Sequence, residues 1–363
     1  MFEDTSRFYA SILDLARRIE AKWLQYNYSA DDFYKVVWEE TEHFDLSYLA
    51  DLSNQLDLIE IPQVRFQQHR STFSDFHFQI FHNGRFLIEL LNWSGSHVNI
   101  HDHDFSGVQF QLKGDSLNVL YDFNETSRHG AITFGDLKVR TAELWTQGGR
   151  SVVRPGTLDP HTVLHLGSPT VSLLIRTAPT ARYGAQLNYF SDLAAYYYVN
   201  DDAQRKKLTG LHLLARHSPT AFRRQFQRFV DLQSMSENFF MLLKLSDILF
   251  QSQFTDLLNA YANRGNNESR IVKSVAFHRA SDFFKKAGNH SSTSSTDKID
   301  LFTMAASHSL ADIKKIASTL RPSEKSHLVL KNIDSFISKM DPKSATIATN
   351  MARLLVSIEP TLA

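Results

Sequence analysis

At 363 residues the chain is long enough for two domains with cores of ordinary size. Its 39 basic and 39 acidic side chains cancel, which gives no reason to expect nucleic acid or an anionic membrane as the main partner. The absence of cysteine excludes disulfides, thiolate metal sites and a cysteine nucleophile.

The N-terminus, Met-Phe-Glu-Asp-Thr-Ser-Arg-Phe, has neither the basic nor the apolar region of a signal peptide. No run approaches the roughly 18–20 apolar residues of a spanning helix. A soluble, cytoplasmic protein is expected.

Residues 5–26 read as an amphipathic helix, with Phe8, Ile12, Leu15 and Ile19 at spacings of four, three and four and Asp4 or Thr5 as cap. Residues 30–58 also pattern as helix, opened by Ser29 and Asp31-Asp32. From Ile61 the period changes. Strands are expected at Val64–Gln67, Phe76–Phe81, Phe86–Leu91, Val108–Leu112, Ser116–Phe123, Lys138–Trp145, Ser151–Arg154, His161–Leu166 and Val171–Thr177. Asn83-Gly84 carries the signal of a type I′ hairpin, which needs positive φ at both positions. Short strands at this spacing imply a closed or double-sheet β architecture. Beyond about residue 185, helices are expected over 186–198, 203–216, 219–232, 235–262 and 269–287, with a polar loop near 289–297 and helical patterning over 298–359. The expected class is α+β: an N-terminal helical segment (1–60) packing on a β-barrel (61–185), then an all-α region (186–363).

The chemistry concentrates at Ile100-His-Asp-His103. Side chains on a strand alternate between faces, so His101 and His103 share one and can converge on a metal ion, while Asp102 faces away. Two imidazoles hold a divalent metal weakly, and a third ligand has to come from elsewhere. His161 and His165 are the candidates. His97 and His129, near turns, are expected at the surface.

The frame Gly95-x5-His101-x-His103-x3-Gly107-x6-Gly114 resembles the first metal motif of the cupin superfamily, with Gly107 in the slot of a ligating glutamate. Over roughly residues 61–180 the chain resembles the cysteine dioxygenase (thiol dioxygenase) family. The shared features are Asn83-Gly-Arg-Phe86, Trp93-Ser94, Ile100-His-Asp-His103 and Ser106, with Gly149-x5-Pro155 opening a second motif and Pro169-Thr-Val-Ser-Leu173 after it. The resemblance implies a jelly-roll barrel in which His101, His103 and His161 hold Fe(II), other divalent metals being acceptable to histidines as well. His165, where cupins often keep an asparagine, then becomes a residue that orients a ligand or a core histidine.

The chain also departs from the family. Its second-sphere Ser-His-Tyr set falls here on Ser172, Leu174 and Arg176, and Gly107 rules out a tyrosine–cysteine crosslink. The arginine that anchors a cysteine carboxylate has no counterpart. If Ser172 points inward, so does Arg176, and a guanidinium inside a barrel requires an acid or an anionic ligand. Arg176, Ser172 and Gln111 are therefore expected to contact substrate, with Gln109 beside Gln111 on the same face; the alternative is an Arg176 at the strand end reaching solvent. The resemblance implies an oxygenase acting with O2 on a small thiol- or carboxylate-bearing substrate. Two alternatives are a non-enzymatic ligand-binding or regulatory module and a metal-dependent isomerase or hydrolase. The helical half would serve as lid, homodimer interface or docking site for a protein partner.

Overall fold

The computed structural model describes residues 2–320, apart from 70, 72, 96, 197–201 and 291–292. It is mixed α+β, with N-terminal helices, a β core resembling a jelly roll, and C-terminal helices. Among the described residues no helix is long and apolar enough to cross a membrane. The expected helical patterning past residue 320 lies outside the described residues.

The N-terminal helices are α1 (Phe2–Leu24), α2 (Ala30–Glu40), α3 (Leu52–Ile59) and the single turn α4 (Pro62–Arg65). Helices and strands otherwise follow the expected order, with four corrections, the first being that 30–58 is not helical throughout but holds α2 and α3 with a short 3-10 turn (Ser47–Ala50) between them. Residues 64–67, expected as a strand, begin inside α4, because Pro62 at its first position is preset for a helical turn. Of residues 186–198, expected as a helix, the described ones up to 196 are not helical: β10 (Leu187–Tyr189) and β11 (Leu193–Tyr196) form a hairpin turned through Ser191 at φ 62°. The span 235–262 is three helices rather than one.

The remaining strands are β1 (Phe76–His82), β2 (Phe86–Trp93), β3 (His101–His103), β4 (Gly107–Lys113), β5 (Ser116–His129), β6 (Ile132–Trp145), β7 (Arg150–Val153), β8 (Gly156–His165) and β9 (Thr170–Thr177). The β1–β2 turn departs from the expected type I′ form. Only Gly84 has positive φ, at 85°, while Asn83 Oδ1 accepts hydrogen bonds from the backbone N–H groups of Arg85 and Phe86.

The chain divides into two compact units. One holds the residues up to Leu120 together with Thr141–Gln186; the other holds Tyr121–Arg140 and the residues from Leu187 onward. The long strands β5 and β6 each run from one unit into the other.

In the first unit, one sheet has the order β1-β2-β9-β4-β7, all antiparallel neighbours. A second group pairs the start of β5 with β8, and β8 with β3. On the five-stranded sheet, Phe86, Ile88 and Leu90 of β2, Val108 and Phe110 of β4, and Leu173 and Ile175 of β9 form one face. They pack with Ile12, Leu15, Ile19, Phe33, Val37 and Leu58 of α1–α3 in a single core. The opposite face carries Glu89, Leu91 and Trp93, Gly107, Gln109 and Gln111, and Ser172, Leu174 and Arg176. Because helices cover one face and the second strand group the other, β2 is buried along its whole length.

The second unit gathers Ile132 and Phe134 of β6, Leu193 and Ala195 of β11 and a row of buried helix phenylalanines into one core. Its helices are α5 (Asp202–His217), α6 (Pro219–Leu232), α7 (Met235–Lys244), α8 (Ser246–Leu249), α9 (Thr255–Ala262), α10 (Asn266–Gly288), α11 (Ser295–Ala306) and α12 (Leu310–Leu320). Ser234 and Glu237 form a reciprocal capping box at α7.

Candidate metal centre

The antiparallel β3–β8 pair sets the site. His101 lies directly opposite His161, and an irregularity between His101 and His103 shifts the register so that His103 faces Gly156. All three imidazoles are buried, at 2–6 % exposure. Their candidate ligand atoms lie within 4.8 Å of one another, and among the described residues this is the group of side chains that could hold a metal ion. Ring centroids are 4.7–5.0 Å apart.

Hydrogen bonds select which nitrogen of each ring faces the shared point. His101 Nδ1 donates to the Asn99 carbonyl at 2.7 Å, and His161 Nδ1 donates to Asn118 Oδ1 at 3.0 Å. Each bond fixes the tautomer and leaves Nε2 as the ligand atom. His103 Nε2 stands 3.0 Å from His161 Nε2. Two nitrogens bound to one ion at about 2.1 Å are separated by such a distance when they meet at roughly a right angle.

His103 is oriented differently. Its Nδ1 is buried without a hydrogen-bond partner, and its ring packs on Phe105 at 4.4 Å between centroids. Burial holds the His103 imidazole well below its ordinary pKa, helped by His101, His161 and Arg176. Burial, with His101, does the same to His161. Both are neutral near pH 7, the state in which imidazole binds a metal. The donor set thus fits a divalent ion: three buried nitrogen ligands, two of them held by outer hydrogen bonds, with no carboxylate among them.

His165 stands apart from this group. It stacks on Trp93, with centroids 4.5 Å apart and planes at 22°, and its Nδ1 is 3.0 Å from Ser116 Oγ. His97 is half-buried rather than at the surface. It stacks on His165, and its Nδ1 accepts a hydrogen bond from the His165 backbone N–H. His129 is likewise half-buried, edge-on to Phe134.

The expected substrate contacts lie outside the lining of the cavity beside the histidines. A cavity of about 20 Å3 adjoins the three histidines, lined chiefly by Phe73, Leu91, Trp93, Phe105, Val163 and Leu174, with Gln109. The cavity is partly open to solvent rather than sealed. Arg176, Gln111 and Ser172 are not in its lining. Gln111 Nε2 donates to the Gly114 carbonyl and Ser116 Oγ, and Ser172 Oγ accepts from Trp93 Nε1 at 3.4 Å.

Arg176 does point inward, and the acid it requires is Glu89. Two hydrogen bonds, 2.7 and 3.1 Å, join them, and His77 Nε2 lies 3.3 Å from the same carboxylate. The guanidinium also covers the Phe105 ring at 4.7 Å. Phe105 is therefore held between Arg176 and His103.

Gly107 explains the missing fourth ligand. A Cβ there would lie 2.3 Å from the Ile175 carbonyl oxygen and 2.9 Å from Arg176 Cα, so β9 passes too close for any side chain. The sequence reading missed Asn118, Asn99 and Phe105. For Asn118 a signal existed: a lone amide in the apolar run Leu117-Asn-Val-Leu-Tyr121, where a buried polar group requires a partner.

No family model matches the chain, and no curated protein matches it. Among solved structures it is similar to the DMSP lyase DddQ of Ruegeria pomeroyi, at 11% identity and a TM-score of 0.24, over 35% of this chain and 59% of that one. It is also similar to an uncharacterized protein with a double-stranded beta-helix domain from Klebsiella pneumoniae, at 9% identity and a TM-score of 0.22, over 37% and 89% of the two chains. A third is TT1209 from Thermus thermophilus, at 21% identity and a TM-score of 0.22, over 33% and 97%. The chain spans under two thirds of the first of these.

Proposed function

We propose that the chain is a cupin-type mononuclear non-haem iron enzyme of the oxygenase kind. It acts with O2 on a small thiol- or carboxylate-bearing substrate whose anionic head binds the metal directly. The observation that carries this reading is the convergence of three buried imidazoles from β3 and β8, two of them locked in the ligating tautomer by Asn99 and Asn118. Iron rests on the resemblance to the thiol dioxygenases. When bound, Fe(II) supplies an acceptor for the substrate's anionic head and the electrons for O2 chemistry.

The protein's own residues do the rest. Three neutral ligands bring no negative charge, so the site favours an anionic ligand over a neutral one. The apolar walls, from Leu91, Phe105, Val163 and Leu174, lower the polarity of the space beside the histidines. The Trp93–His165 stack closes one side of it.

The test is oxygen uptake by iron-loaded protein with a panel of small thiols and carboxylates. The reading predicts substrate-dependent uptake that is lost in His161→Ala. Protein that binds iron but consumes no oxygen with any member would favour a ligand-binding or regulatory module.

A further inference from the structure

Gln109 is the polar side chain of the cavity lining that the fold leaves uncommitted. It is 9 % exposed, lies on the inner face of β4 opposite Leu174 of β9, and faces the same cavity as the three histidines. Its amide has no hydrogen-bond partner among the described residues. The other polar groups near the cavity each have at least one partner, although Gln111 Oε1 has none. Gln111 is tied to Gly114 and Ser116, His165 to Ser116, and Glu89 to Arg176 and His77. An amide that faces a mainly apolar cavity without a protein partner can pair with a ligand, and a site with such a group gains selectivity from the ligand that pairs with it.

Among the described lining residues there is no carboxylate and no cationic side chain other than imidazole. An ammonium group brought into this cavity would find no counter-ion, and desolvating it unpaired is far more costly than desolvating a hydroxyl. Glu89, on the same face of the sheet, is engaged by Arg176 and His77.

From this we infer that Gln109 is the specificity-determining contact of the cavity. The ligand it selects has one anionic head for the metal, a mainly apolar body, and one neutral hydrogen-bonding group, and carries no ammonium. Zwitterionic amino acids, free cysteine among them, are excluded. The inference rests on the metal-site reading and narrows its substrate class.

The experiment uses cobalt(II)-loaded full-length protein without oxygen, following the visible spectrum as ligand is added. The probes are 2-mercaptoethanol, ethanethiol and cysteamine, which share a thiol and differ in hydroxyl, methyl and ammonium. Wild type should bind 2-mercaptoethanol roughly five- to tenfold more tightly than ethanethiol, about the worth of one hydrogen bond, and cysteamine most weakly. Gln109→Leu should erase the preference for the hydroxyl while retaining ethanethiol. Gln109→Glu should shift the preference to cysteamine, a reversal that general loss of packing cannot produce. If the protein binds cobalt yet the ligand order is the same in all three forms, the inference fails and the metal reading survives. If it binds no cobalt, the metal reading itself fails.

Discussion

The three histidines are held by two different means. His101 and His161 each donate a hydrogen bond through Nδ1, whereas His103 relies on Phe105, which Arg176 clamps from behind. Removing an outer hydrogen bond to a ligand costs about 10–100-fold in metal affinity. Asn118→Leu should lower affinity by that factor with the fold intact, read by competition against a chelator. Unchanged affinity would show that the Asn118 bond does not orient His161. Glu89 behaves as a structural acid. Burial raises its pKa, but His77 and Arg176 outweigh that and hold it below the usual carboxylate value of 4.5. Its contribution is therefore fully present above about pH 4.5 and is lost as the pH falls through the depressed folded pKa. Glu89→Gln leaves the Arg176 charge without its partner. It should cost about 3 kcal/mol near pH 7, and in denaturant titrations the gap to wild type should close towards pH 3. A gap independent of pH would contradict this account.

At the scale of strands and helices, the close passage of β9 over Gly107 fixes how many ligands the site can have. Gly107→Ala should lose about 1–3 kcal/mol in chemical denaturation through overpacking, and Gly107→Glu should add no metal ligand. A stable Gly107→Glu protein with tighter metal binding would contradict the steric reading. The same scale shows what was legible in the sequence. His101 and His103 followed from strand alternation together with the family resemblance, and the strands between Phe76 and Thr177 from β-branched and aromatic runs bounded by turn residues. Residues 187–196 read as helix because Leu-Ala-Ala-Tyr has helical propensity, yet pairing of β11 with β6 overrides it. Arg176 was placed on the correct face, but its partner Glu89, 87 positions away in sequence, could not be found from spacing. Gln109 lines the cavity and Gln111, two residues further along the same face, does not. That difference depends on where the β4–β5 turn captures an amide, which periodicity does not encode.

Across the whole molecule, the histidines and their supporting residues all lie within one compact unit, and the second unit has a separate helical core. The metal centre can thus be disabled without touching the core of the helices. The measurement that bears most directly on the account is metal content per chain after iron loading and desalting, for wild type and for the variant with His101, His103 and His161 all changed to Ala. The account predicts one equivalent in wild type and none in the variant, with equal helical circular dichroism. Metal-free wild type, or a variant that retains its metal, would contradict it.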